Sequence, residues 1–252
     1  MSDAGPWGPE RRAQTALLVA TIADLLAGCR HVAVGQQSPI PGTAALLARR
    51  ESAGRLRVSV LDSDRLSSFT NGASELFDCA AEGRIDAFFL SGGQIDGRAN
   101  VNLVGTGAYP RSDVRWSGSF GSAFLYFIVP RVILFREEHS RRVLVEKVDF
   151  VSAPGTSPPG VYRPGGPHAL VTPLALFRFD RAAARFRLES VHPGRTLAEV
   201  LEHTGFAFDY AARPAVTATP GAARLAAMRD VVREEVAEIY PRFAARLLDG
   251  AG

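Results

Sequence analysis

Residues 86–107 read DAFFLSGGQIDGRANVNLVGTG. Ala87, Phe88, Phe89 and Leu90 form an apolar run too short and too aromatic for an ordinary helix, which predicts a buried strand of an α/β sheet. Gly92 and Gly93 follow at once, and a residue without a Cβ lets the backbone bend sharply or come close to a ligand. Gln94, Asp96, Asn100 and Asn102 then bring four polar side chains into nine positions. In open α/β sheets, ligands lie in the crevice beyond the carboxyl ends of the strands. The stretch therefore has two readings. It is a ligand-binding loop, or a turn in which Asp and Asn cap their own backbone.

The flanking chain repeats the same grammar. Residues 9–28 carry apolar side chains at helical spacing, with Gly28 as a stop. Residues 31–35 read as a strand, 36–42 as a polar loop, and 43–50 as a helix that Thr43 caps. Residues 57–61 form the next strand and run directly into Asp62-Ser63-Asp64. A helix over 71–83 leads back to the opening stretch. Successive strand–loop–helix units predict a parallel sheet with right-handed crossovers, placing loops 36–42, 62–70 and 91–98 at one edge.

Downstream, residues 115–123 form a second loop rich in glycine and serine, followed by an apolar run over 124–129. Strands are predicted over 131–136 and 142–150. A long loop rich in proline and glycine covers 153–167. Segments 169–173, 175–180 and 186–191 alternate as antiparallel strands do. A helix over 197–203 is capped by Thr196, and one long amphipathic helix spans 224–248. The expected organisation is a flexible tail over 1–9 and a single α/β domain over 10–252, with an open, mostly parallel sheet.

Composition narrows the function. The chain has 252 residues, 46% of them hydrophobic, and a formal charge of +3. Lys147 is the only lysine, so arginine carries nearly all the positive charge. That mild balance suits an anionic ligand and does not indicate nucleic acid. Cys29 and Cys79 are too few for a disulfide framework or a zinc site. No segment reads as a signal peptide or a membrane span, which predicts a cytoplasmic protein without membrane attachment. Gly105-Thr106-Gly107 begins like a dinucleotide fingerprint, but Pro110 stands where the third glycine belongs. HExxH, paired CxxC, a Walker loop and a GxSxG elbow are all missing, so no metal is expected. His139, in a charged turn, reads as solvated, and His192 as structural.

What remains is carboxylate chemistry. Asp62 and Asp64 follow a strand in one of the clustered loops, and Asp96 lies in another. A carboxylate held close to a thioester can attack it or act as a general base. Asp62 equally suits a capped turn. Segments 91–94 and 118–122, with Gly118 and Gly121, have the flexibility to offer backbone N–H groups to an oxyanion or a phosphate.

The run Gly92-Gly93-Gln94-Ile95-Asp96-Gly97 with Asn100-Val101-Asn102 resembles the QID…GN-x-N signature of family I CoA-transferases. The later Ser190-Val191-His192-Pro193-Gly194 and Thr204-Gly205-Phe206 resemble a stretch near the end of their β subunits, of the glutaconate CoA-transferase type. The segment VEKVDFVSAPG over 145–155 is similar too. This resemblance implies a three-layer α/β/α fold and an α subunit of like topology in a heterodimer or heterotetramer. It implies no permanently bound cofactor, a coenzyme A thioester as substrate, and a ping-pong reaction through a glutamyl thioester. It also assigns Gly92, Gly93, Gln94, Asp96, Asn100, Asn102, Gly118 and Gly121 to the oxyanion and CoA site.

The departures are specific. Asp62-Ser63-Asp64 stands where the family carries its nucleophilic glutamate, Ala99 replaces a glycine, and Phe120 interrupts the second glycine loop. These changes resemble the ring-opening CoA-ester hydrolases of steroid breakdown, whose β subunit lacks the glutamate. Three functions follow: a CoA-transferase β subunit with Asp62 as nucleophile, a CoA-ester hydrolase or C–C lyase subunit, or a non-catalytic binding protein of the same fold class.

Overall fold

The computed structural model describes residues 7–248. The chain divides into two compact units, Met1–Gly72 with Thr219–Gly252, and Ala73–Ala218. The architecture is α/β with a mixed, mostly parallel strand arrangement, as expected.

In the first unit, helix α1 (Pro9–Leu25) is buried on nearly every face. Its Thr15 and Thr21 hydroxyls donate to the carbonyls of Arg11 and Leu17, each at 2.8 Å, so burial leaves neither hydroxyl unsatisfied. Trp7, expected in a loose tail, is buried and meets Phe243 edge-on at 5.5 Å; the rest of that tail, residues 1–6, lies outside the described residues. Strands β1 (His31–Val34) and β2 (Arg57–Val60) pair in parallel from His31↔Arg57 to Val34↔Val60. Helix α2 (Pro39–Glu51) connects them and starts before the expected Thr43. Pro39 explains the shift: its fixed φ suits the first turn and its missing N–H would have had no partner there. Thr43 is thus inside the helix, donating its hydroxyl to the Pro39 carbonyl at 2.7 Å.

The second unit opens with α3 (Gly72–Ala81) and β3 (Ala87–Leu90), all four strand residues buried. Two short antiparallel ribbons follow, β4 (Gln94–Ile95) with β5 (Val101–Asn102) and β6 (Gly105–Thr106) with β7 (Val114–Arg115). Then come α4 (Ser122–Ile128), β8 (Arg131–Phe135), β9 (Pro167–Val171), β10 (Ala175–Asp180), β11 (Arg185–Val191), α5 (Leu197–His203) and β12 (Ala215–Val216). The sheet of this unit runs β12-β11-β10-β9-β8-β3. Its β3–β8 and β8–β9 pairs are parallel, whereas β9–β10 and β10–β11 are antiparallel, as the alternation predicted. Five phenylalanines, Phe177, Phe179, Phe186, Phe206 and Phe208, pack in edge and stacked contacts over this antiparallel part.

Two expectations fail in this unit. Residues 142–150 make no strand. Val143, Leu144 and Val148 are buried, but the segment spends its backbone bonds on Ile95, through Ile95 N–H to Val143 and Val145 N–H to Ile95. His139 is not solvated. It is buried, with Nδ1 2.7 Å from the Thr172 hydroxyl and Nε2 2.9 Å from that of Thr204.

The chain then returns to the first unit. The single helix expected over 224–248 is α6 (Ala222–Val231), a π-helical turn (Val232–Val236), α7 (Ala237–Ile239) and α8 (Pro241–Leu248). Pro241 causes the final break, because a proline disfavours helical geometry in the residue before it. Tyr240 accordingly sits at φ −129°, ψ 64°. Ion pairs from Arg49 to Glu235, Arg50 to Glu234 at 3.0 Å and Arg224 to Asp24 at 2.7 Å tie this segment to α2 and α1. Among the described residues, no helix is long and apolar enough to cross a membrane, and no cluster of three or more His, Cys, Asp or Glu side chains is arranged to hold a metal.

Candidate active site

The polar loop after β3 is a hairpin whose side chains bond to one another. Gln94 faces Asn102 across the β4–β5 ribbon. The Asn102 amide donates to Gln94 Oε1 at 2.8 Å and to the Gly105 carbonyl at 2.7 Å, and its Oδ1 accepts from Val104 N–H at 2.9 Å. Gln94 Oε1 also accepts from Asp149 N–H at 2.9 Å. Asp149 Oδ2 in turn accepts from the Gln94 amide at 3.2 Å and from Gly107 N–H at 2.9 Å. One turn further in, Asp96 Oδ1 accepts from Arg98 N–H and Asn100 N–H, and Oδ2 from the Asn100 amide, all at 3.0 Å. Asn100 Oδ1 reaches out to Gly155 N–H at 3.1 Å. Gln94, Asp96 and Asn102 are buried. The polar atoms of these four side chains are thus committed to building the loop.

Gln94 with Asn102 and Asp96 with Asn100 are both centred on position 98, the arithmetic of an antiparallel hairpin. Ala99, at the tip, holds φ +58° where a glycine would be unstrained. The Tyr126 hydroxyl secures it by donating to the Ala99 carbonyl at 2.8 Å. Burial pushes the Tyr126 pKa well above the ordinary phenol range, so it remains a donor.

The glycines are required for packing. A Cβ on Gly92 would stand 2.4 Å from Val101 Cγ1, and one on Gly93 only 2.0 Å from the Trp116 ring. Gly121, at φ +59°, lies under Phe77, where a Cβ would come within 2.2 Å of the ring. Gly118 differs: nothing lies within 4 Å of its Cβ direction. Beside it Phe120 is 79% exposed and, with Phe124, rests against Phe77 at centroid distances of 5.8 and 5.7 Å.

In the first unit, Asp62 follows the carboxyl end of β2 and is exposed. Its Oδ2 accepts from Gln37 N–H at 2.5 Å. Gln37 is held at φ +51°, an uncommon conformation for a side-chain-bearing residue. Ser63 is buried and turns the chain, its Oγ accepting from Arg65 N–H at 3.2 Å and Leu66 N–H at 2.9 Å. The same Oγ donates to Glu238 Oε2 at 3.4 Å. Asp64 is exposed. Sequence reasoning missed Tyr240, whose ring packs on Gly42 and whose hydroxyl is buried near Asp62. The signal was present in Pro241, which marks where a helix must break.

Parallel strand–helix units with an exposed carboxylate at a strand end, together with a separately built glycine-rich hairpin, define the class of fold as α/β. The family model described as Coenzyme A transferase matches residues 14–203, and the chain belongs to that family. It is 33% identical over 153 residues to the B-type subunit of the 3-oxoadipate CoA-transferase of Pseudomonas knackmussii, covering 58% of each protein. It is 30% identical over 162 residues to the cholesterol ring-cleaving hydrolase IpdB subunit of Rhodococcus jostii, covering 63% of each. The matched stretches thus span less than two thirds of these relatives' length. Among solved structures, the decarboxylase AibA/AibB superposes with a TM-score of 0.74 at 25% identity, over 90% of this chain and 98% of the other.

Proposed function

We propose that this chain is the β subunit of a two-subunit, cytoplasmic enzyme that acts on acyl-CoA thioesters, and that Asp62 is its reacting carboxylate. The observation that carries the reading is Asp62 itself. It is exposed at the end of a parallel strand, with one oxygen fixed by Gln37 N–H, in a member of the CoA-transferase family. A carboxylate fixed by one donor keeps its second oxygen for attack. That oxygen adds to the thioester carbonyl and expels CoA thiolate, leaving an acyl-aspartyl anhydride. The thiolate then attacks the aspartyl carbonyl, releasing the first acid and leaving CoA on Asp62 as a thioester. The acceptor carboxylate attacks that thioester, and the returning thiolate takes the new acyl group.

For the glycine-rich segments we propose binding of the thioester substrate through backbone N–H groups at Gly92, Gly118 and Gly121, while the Gly93 N–H is spent on the Asn102 carbonyl at 2.9 Å and only shapes the bend. Gln94, Asp96, Asn100 and Asn102 shape the loop that presents them. The α subunit is the natural cover for the exposed aromatic group of Phe120 and Phe124, because exposed apolar clusters mark interaction surfaces. The isolated chain is expected to be inactive, with activity restored by the partner.

A second reading is favoured by one specific observation. Aspartate is one methylene shorter than the family's glutamate, and two similar proteins are a ring-cleaving hydrolase subunit and a decarboxylase. A displacement of about 1 Å can cost a hundredfold in rate. Here Asp62 would orient water or substrate without bonding to it. Borohydride reduction during turnover with acyl-CoA, followed by mass spectrometry, separates the two. A reduced residue at Asp62 is expected for transfer, and an unmodified chain in an active complex removes the covalent route. Asp62→Asn should abolish transfer; activity equal to wild type would exclude both roles.

A further inference from the structure

The Asp62 carboxylate has a neighbour from the far end of the chain. Pro241 forces Tyr240 out of helical geometry, and the Tyr240 ring turns onto Gly42 in the first turn of α2. A Cβ built on Gly42 would stand 3.1 Å from Tyr240 Cε2 and 3.6 Å from its hydroxyl oxygen, so a side chain there would press the ring aside by a few tenths of an ångström. Just before that turn, Gln37 N–H holds one oxygen of Asp62. The Tyr240 hydroxyl is buried close to the Ser38 N–H and the Asp62 carboxylate, and completes no hydrogen bond of ordinary geometry among the described residues. A buried hydroxyl without a partner is costly, and such a group calls for a reason. The Tyr240 backbone is well held, with its N–H on the Val236 carbonyl at 2.7 Å and its carbonyl accepting from Ala244 N–H at 3.0 Å.

We propose that Tyr240 is a positioning residue for Asp62: its phenol O–H is a second donor to the carboxylate, beside Gln37 N–H, and orients it for reaction. This deepens the reading of Asp62 as the reacting group and rests on it. Two donors from different elements restrict the carboxylate to one rotamer and leave two of its four lone-pair directions for the substrate. Burial and the nearby Asp62 charge both keep the phenol protonated, so it acts as a donor across the working pH range. The other charged groups on the Asp62 turn are Asp64 and Arg65, and Glu238 reaches the intervening Ser63 hydroxyl.

The test uses the full chain with its α partner. Tyr240→Phe keeps the ring on Gly42 and removes only the hydroxyl. The expected result is a fall in kcat of about tenfold with little change in KM. Gly42→Ala, which keeps the hydroxyl but pushes it aside, should act in the same direction. A readout independent of turnover is the carboxyl 13C resonance of Asp62, assigned by its disappearance in Asp62→Asn. Its chemical shift at fixed neutral pH should move in Tyr240→Phe, as expected when a hydrogen-bond donor to the carboxylate is lost. An unchanged resonance overturns the proposal whatever happens to activity. Full activity in Asp62→Asn would instead bring down the role of Asp62 in turnover, while the resonance would still decide whether Tyr240 binds its carboxylate.

Discussion

Replacing Asp96 separates a side chain that builds the loop from one that touches the ligand. Asp96 is 4% exposed and accepts three hydrogen bonds, from two backbone N–H groups and the Asn100 amide. Asp96→Ala strands all three donors. Arg98 is exposed and its N–H regains water, whereas Asn100 is only partly exposed. Each bond to a charged acceptor is worth about 1.5–3 kcal/mol, and the three share one carboxylate, so they do not simply add. A loss of roughly 3 kcal/mol follows, which in a unit of this size lowers Tm by about 6–12 °C. Asp96→Asn keeps an acceptor for the two backbone donors and sets its own NH2 against the Asn100 amide, so about a third to a half of that loss is expected. Thermal melts with parallel activity assays in the presence of the proposed α subunit would check both variants. The reasoning fails if Asp96→Ala melts within about 1 °C of wild type yet loses activity more than a hundredfold. That pattern belongs to a group in contact with substrate.

Other outcomes follow from the same geometry. Burial lowers His139 and His192 to about 4, while the unfolded chain protonates them near the ordinary 6.5. Above about pH 6.5 neither contributes; between about 6.5 and 4 the unfolded state binds the extra protons, so stability falls with pH and levels below 4, by at most about 3 kcal/mol per histidine. Urea titrations across that range should show the slope, and His139→Gln should remove its share. Ala99→Gly relieves a left-handed alanine and is expected to be neutral to about 1 kcal/mol stabilising, whereas Tyr126→Phe, which frees the Ala99 carbonyl, should cost about 1–2 kcal/mol by the same melts. Gly93→Ala drives a Cβ into the Trp116 ring and should cost at least about 1–3 kcal/mol. Tryptophan fluorescence in a Trp7→Phe background would report the displaced indole.

Much of this structure was legible because its strands are short apolar runs stopped by glycine or a polar turn. The parallel strands at 31–34, 57–60, 87–90 and 131–135, the antiparallel run of β9 to β11 and the Thr196 cap all follow local rules, and the structure has them. The misses have physical causes. Residues 142–150 carry strand-like residues, but their hydrogen-bond partners are the QID hairpin, and a non-local partner leaves no trace in periodicity. His139 sits between charged residues, yet Thr172 and Thr204 lie 33 and 65 positions away and draw it inside. The helix at 224–248 looked continuous because its amphipathic pattern survives the π turn, although Pro241 carried the contrary information. At the site, resemblance to the family picked out the hairpin. Only coordinates distinguish Gln94 and Asn102 bonding each other from the same side chains reaching for a ligand.

The two-part composition of the first unit has a consequence for synthesis. Its opening segment ends at Gly72 and its closing segment begins at Thr219, so 146 residues emerge from the ribosome between them. Ala73–Ala218 is contiguous and is translated as one piece, whereas α1 and α2 must wait for α6 and α8 before their ion pairs and the Trp7–Phe243 contact can close. The Asp62 turn therefore matures only after the segment that begins at Thr219 has been made. Nascent chains stalled anywhere before Thr219 would expose the α1–α2 surface to chaperones while their middle portion is already protease-resistant.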